Sequence, residues 1–333
     1  MPEPLWITAC PVSLESCFEA GGTSRNLDHI EQALRRERRS GDAQLFLLPE
    51  FAPYGWAPGK SVAEWNAIAE TISGPTVQHL AKLAREMECW LAGTFFERLP
   101  EFPGRHFLTG FVVDHLGDVV LRYRKLYAYS QKTRPGDVYS DYVRAYGRES
   151  LFPVVDTPFG KIAMAIAYDI FWPEVPRALA MRGAEILLNP FGSARTEAQV
   201  GSAFDQVRRV RAFENVMYVA GANIGALKAM PDGPVDRWPC EIVDFEGRIL
   251  GAVNSVDGRM ASARVDVAAL RAHRAKPMAN WLAQLQPQLH APDYLAANLW
   301  PLDAWLKNPM VDGRDQLAME GEITARFERN SAL

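Results

Sequence analysis

Three short segments each put a residue able to do chemistry at the end of an apolar run. In Leu47-Leu48-Pro49-Glu50-Phe51, a carboxylate directly follows a run apolar enough to be buried on both faces. Held there and partly stripped of water, Glu50 is a candidate general base; as a solvated strand end it would do nothing. In Arg122-Tyr123-Arg124-Lys125-Leu126-Tyr127, the lysine is either a surface charge or, facing a pocket, a fixed cation for an oxyanion. The third segment runs Gly160-Lys161-Ile162-Ala163-Met164-Ala165-Ile166-Ala167-Tyr168-Asp169, then Ile170-Phe171-Trp172-Pro173-Glu174. An apolar strand, a tight turn and a proline-started helix present residue 167 at a junction where backbone N–H groups can bind an anion. That position holds only a methyl group.

The elements around these segments alternate strands with helices. Strands are predicted at residues 5–9, 45–48, 90–96, 107–113, 119–123, 162–166, 186–188 and 217–222, with a hairpin over 242–250 turning at Glu246-Gly247. A helix is predicted at 26–39, where Leu27, Ile30 and Leu34 recur at helical spacing. Another starts at Pro75 with the stripe Val77, Leu80, Leu83, Ala84 and Met87; others follow Pro173 and cover 204–215. Beyond about Asp266 the strand signal fades. Residues 1–266 read as one layered α/β domain. Residues 267–333, rich in Trp, Pro and Leu, read as a C-terminal extension packing on that domain or on a neighbouring subunit.

The 333 residues are 48% hydrophobic and 23% charged, ordinary for a chain that buries a sizeable core. A net charge of −4 and interrupted basic runs such as Arg35-Arg36-Glu37-Arg38-Arg39 give no electrostatic footprint for nucleic acid. No run approaches the roughly 18 consecutive apolar residues of a membrane span. Residues 1–11 lack the basic start and long apolar core of a signal peptide. Cys10, Cys17, Cys89 and Cys240 are scattered without metal-ligand spacing, and the six histidines do not cluster. Neither a metal nor a cofactor is implied, and the expected setting is a reducing cytoplasm.

In order and type the three segments resemble the glutamate, lysine and cysteine segments of the nitrilase superfamily of carbon–nitrogen hydrolases. The separations, 75 residues from Glu50 to Lys125 and 42 from there to position 167, resemble it too. The family writes the third segment roughly G-K-I-x-x-x-I-C-Y-D-x-x-F/W-P-E, which this chain matches except that Ala167 stands at the cysteine. Gly183-Ala184-Glu185-Ile186-Leu187-Leu188-Asn189-Pro190 and Arg211-Ala212-Phe213-Glu214-Asn215 extend the likeness, which covers about residues 5 to 266. The resemblance implies a four-layer αββα sandwich that pairs through its outer helices into a homodimer or higher homo-oligomer. It implies Glu50 as general base, with Lys125 and the backbone N–H of Tyr168 as oxyanion donors. Many members carry a second acid between the lysine and the cysteine; Asp141 falls nearest that place, with Glu149 next.

The implied reaction is hydrolysis of a small linear amide to an acid plus ammonia or an amine, through a thioester. A methyl group cannot begin it. An engineered Cys→Ala variant is the favoured account, because Glu50 and Lys125 persist around the gap; a natural pseudoenzyme serving as a binding or scaffolding subunit is the alternative. Tyr168-Asp169 resembles the amidase and carbamoylase branches, whereas nitrilases proper tend to have Trp-Glu there. Carbamoylases acting on amino acids place arginines where Ile170 and Phe171 stand, and Ile and Phe cannot grip a carboxylate. The expected substrate is therefore an uncharged or apolar amide, with Tyr54, Phe171, Trp172, Asn189 and Phe191 near the pocket. An N-carbamoyl amine or amino acid, its acid bound by other basic residues, is the alternative.

Overall fold

The computed structural model describes residues 2–57, 59–128, 132–193, 199–225, 238–254, 258–297, 299–311 and 313–329. In chain order the strands are β1 (Leu5–Ala9), β2 (Leu45–Leu47), β3 (Trp90–Glu97), β4 (Phe107–Val113), β5 (Val119–Arg124) and β6 (Val154–Thr157). They continue as β7 (Gly160–Met164), β8 (Ile186–Phe191), β9 (Tyr218–Asn223), β10 (Cys240–Val243), β11 (Ile249–Val253) and β12 (Ala261–Val265). They form two six-stranded sheets, ordered β12-β1-β2-β3-β4-β5 and β11-β10-β9-β8-β7-β6. Both sheets are mixed: β2 lies parallel to β1 and β3, and β8 lies parallel to β7 and β9. The inner strands β2, β3, β8 and β9 are buried along their whole length, as runs covered on both faces must be.

The sheets pack closely. A Cβ on Gly110 of β4 would come within 2.0 Å of the Met164 sulfur on β7, so the approach requires glycine there. Helices α1 (Gly22–Ser40), α2 (Val62–Ile68) and α3 (Pro75–Glu86) belong to the first half of the chain, and α4 (Tyr139–Tyr146) follows β5. Helices α5 (Glu174–Met181) and α6 (Ala203–Asn215) belong to the second sheet. α1 turns Ile30 and Leu34 inward and α3 turns Val77, Leu80 and Leu83 inward, each stripe at helical spacing. The expected αββα sandwich is the architecture found.

Local departures have simple causes. β6 escaped the sequence reading because it is a half-exposed edge strand with only two apolar residues. The strand expected to reach residue 166 ends at Met164, and a 3-10 turn at Ala167–Phe171 precedes α5. After β12 comes α7 (Val267–Arg274), which buries Val267 and Leu270. Its Arg271 forks onto Glu185 at 2.6 and 2.9 Å, and Arg274 donates to the carbonyls of Val216 and Ala184. The compact body thus runs on past residue 266.

Further along the extension, several described residues bond to the same chain. In α8 (Ala291–Ala296) the Tyr294 hydroxyl donates to Glu174 at 2.7 Å, and in α9 (Gly313–Arg329) Gln316 donates to the Ala128 carbonyl. Between them, the Asp303 and Trp305 N–H groups donate to the carbonyls of Gly136 and Asp137. Among the described residues, no helix is long and apolar enough to cross a membrane.

Candidate active site

Glu50 and Lys125 come from different strands and meet inside the sandwich. Glu50 follows β2, its N–H donating to the Phe191 carbonyl at 3.1 Å; the next N–H, of Phe51, donates to the Thr94 hydroxyl. A Cβ on Gly192 would lie 2.7 Å from the Phe51 ring and 3.0 Å from Glu50 Oε2, so the bare glycine leaves room for both. Lys125 follows β5, with its N–H donating to the Leu108 carbonyl. Its Nζ donates to Glu50 Oε1 at 2.7 Å, and both side chains are almost wholly out of solvent. The neighbouring Arg124 is fixed by a buried pair with Glu97, which also accepts from Thr109.

Residue 167 sits at a bend that alanine has little reason to adopt. Ile166 is extended, and Ala167 has φ +43°, in the left-handed region. For an L-residue this costs roughly 1–2 kcal/mol. Such an outlier points toward function when the surroundings enforce it, and here they do. Asp169 accepts from the Tyr123 hydroxyl at 2.7 Å and from the N–H groups of Tyr127 and Ile166, which clamps the turn to the strand before it. Burial pushes the Asp169 carboxyl up to about 6, against the opposing pull of Lys125 and the Tyr123 hydrogen bond. On the other side, Asn189 Nδ2 donates to the Ala165 carbonyl at 2.7 Å and, at 3.5 Å, to that of Ala167. Asn189 is itself held by Arg208 Nε, whose guanidinium also pairs with Glu241 and lies over Gly221.

The other expected site residues divide. Asp141 is on the surface of α4, half-exposed and paired with Arg144, and Glu149 is exposed and curls onto Gly147. Asp141 thus stands on the exposed side of α4, away from the Glu50–Lys125 pair, and neither acid is hydrogen-bonded to that pair among the described residues. Tyr54 is core: its hydroxyl donates to Glu70 and Thr76, and its ring abuts Phe96. Asn189 orients the bend through its hydrogen bonds. Phe171 and Phe191 join Trp238 in an aromatic cluster, and Tyr168 packs edge-on against Trp172. Trp172 stacks on Tyr127 at 4.2 Å and lines a cavity of about 400 Å³ with Tyr168, Trp300, Leu302 and Gln316. Glu50, Lys125 and Ala167 are not among the residues that line that cavity, although Leu126 and Tyr168, next to two of them in the chain, are.

The sequence reading did not single out Lys132, which lies beside the pair, or His106, which lies near Lys132. Lys132 is buried, its Nζ 5.1 Å from the ring centre of Phe51 and 5.2 Å from that of Trp56. Burial, reinforced by the Lys125 charge and opposed by Glu50, pushes its ammonium down to about 8. His106 is buried against Phe96. Asn66 Nδ2 donates to the Gly104 carbonyl, so its Oδ1 accepts from His106 Nδ1 at 2.6 Å. That leaves a lone pair on His106 Nε2, which has no partner among the described residues. Burial and the Lys132 charge push His106 down to about 3, so the ring is neutral.

The chain matches the carbon–nitrogen hydrolase family over residues 15–275 and belongs to it. It is 32% identical over 198 residues to a hydrolase in the pqqF 5′ region of Pseudomonas protegens, covering 60% of this chain and 63% of that protein. It is 30% identical over 203 residues to the deaminated glutathione amidase of Bos taurus, covering 60% of each. The chain thus spans less than two thirds of the length of these curated relatives. A mutant of the Nesterenkonia AN1 amidase, from the nitrilase superfamily, shares the fold with TM-score 0.62. The match has 24% identity and covers 86% of this chain and 96% of that one.

Proposed function

We propose that this chain carries an amide-hydrolysing site whose nucleophile is absent. The observation that carries the reading is the buried Glu50–Lys125 pair at 2.7 Å, kept beside a left-handed bend at position 167. In this reading an amide carbonyl lies over residue 167, with its oxygen held by Lys125 Nζ and the Tyr168 N–H. A thiol at 167 would give its proton to Glu50 and attack the carbonyl carbon. Glu50 would pass that proton to the departing amine, then take one from the water that cleaves the thioester. With a methyl group at 167 no bond forms, and the chain binds amides without turning them over.

The test is Ala167→Cys. The variant is expected to release ammonia or amine from small linear amides, while the unaltered chain binds the same amides and releases none. A folded Ala167→Cys protein silent on a broad panel of amides would leave the scaffolding reading in its place.

The reading extends to assembly and setting. Pairing through the outer helices is supported by Met181 at the end of α5 and by Phe204, Val210 and Phe213 on α6, all exposed in the single chain. A monomeric mass in solution at micromolar concentration would refute it. A reducing cytoplasm is supported by four free cysteines, three of them buried.

A further inference from the structure

A buried charge normally has a partner, because an isolated one forfeits its hydration for nothing. Lys132 departs from that rule. It is buried, it rests on the faces of Phe51 and Trp56, and among the described residues it has no hydrogen-bond or ion-pair partner. Of the two charges that act on it most, Lys125 repels it, and Glu50 is already engaged by Lys125 at 2.7 Å. The ring beneath it belongs to the residue directly after Glu50. Among the described residues, a cation without its own counter-ion thus stands beside the pair that would act on the amide.

We propose that Lys132 binds a carboxylate carried by the amide substrate, so that the site takes amides of acidic molecules. The inference rests on the amide-site reading and names its substrate class. An incoming carboxylate would complete the ion pair in a water-poor, aromatic-floored place, where such a pair gains most. It would also supply what Ile170 and Phe171 cannot. Two kinds of molecule share this chemistry: half-amides of dicarboxylic acids and N-carbamoyl amino acids.

The chain as it stands, with Ala167, is suited to the test because it holds amides unreacted. Calorimetric titration with succinamate, N-carbamoylglycine and the neutral butyramide is expected to show one of the two acids binding about tenfold tighter than butyramide, or more. Succinamate ahead would identify the half-amide class; N-carbamoylglycine ahead, the carbamoyl class. Lys132→Met should bring the ratio of acid to neutral affinity to about one, and Lys132→Arg should restore most of it. Equal affinities in the unaltered chain would overturn the assignment and leave the amide site standing. So would an acid preference that survives Lys132→Met in a protein that still melts cooperatively. Failure of all three amides to bind would overturn the amide site itself, and the assignment with it.

Discussion

Arg208 Nε donates to Asn189 Oδ1 at 2.9 Å, and through Asn189 the helix α6 braces the start of the bend at residue 167, while Arg211 of the same helix donates to the Ile170 and Phe171 carbonyls at its end. Arg208 lies on α6 and Asn189 on β8, so neither belongs to the bend that they shape. Asn189→Ala strips the Ala165 carbonyl of its donor and leaves Arg208 facing a methyl group. The expected loss is about 1–3 kcal/mol in urea unfolding, with a larger fractional loss of turnover in an Ala167→Cys background.

Arg124 and Glu97 do for Lys125 what Arg208 does for position 167. Their pair is buried, and Thr109 and Tyr142 satisfy further atoms of it. Arg124→Met leaves the Glu97 carboxylate buried without its partner. The expected cost is about 3–5 kcal/mol, read from the urea midpoint. A loss below about 1 kcal/mol would mean that the pair does not anchor the end of β5.

Asp141 offers the contrasting case. Its bridge to Arg144 is exposed at both ends, and such pairs contribute little. Asp141→Asn should shift stability by less than about 0.5 kcal/mol. It should also leave the pH–rate profile of an Ala167→Cys protein unmoved, which a second catalytic acid would not allow.

Lys132 makes a prediction about pH. Its folded pKa of about 8 lies below the ordinary lysine value, while among the described residues Lys125, Glu50 and the neutral His106 are the titratable groups that face it. Between about pH 8 and the unfolded lysine value of roughly 10.4, the unfolded chain holds the extra proton, so stability attributable to this group rises with pH. Below about pH 8 both states are charged and the burial penalty is fully present. Lys132→Met should therefore raise the Tm at neutral pH, and the gain should shrink as the pH climbs through this window. A Tm difference that stays constant from about pH 7 to about pH 10 would rule this out.

That Glu50, Lys125 and position 167 stand just past buried strands was legible because strand ends announce themselves where an apolar run stops. Lys132 was not, because Ser-Gln-Lys-Thr-Arg reads as a solvated loop, and the rings that bury it, Phe51 and Trp56, lie some eighty positions earlier. The exposed placement of Asp141 was not legible either, since counting along a chain cannot tell which face of α4 a residue takes. Tyr54 looked like a pocket aromatic because it is near Glu50 in sequence, yet its hydroxyl is spent on Glu70 and Thr76. The alternation of strands and helices was plain wherever strands were buried on both faces, and failed at the half-exposed β6 and at β12, whose residues alternate between buried and exposed.

The Trp300–Leu306 stretch fastens to the 3-10 turn at Pro135–Val138, three residues past Lys132: Asp303 and Trp305 reach its carbonyls, and Trp300 lies against Arg134. The same short piece of backbone is tied on its other side, where the Thr133 N–H donates to the His106 carbonyl. Tail and pocket are thus two grips on one strap. Trimming the tail would leave the sandwich standing while slackening the segment that carries Lys132, so the damage would surface as altered discrimination among ligands before it surfaced as unfolding.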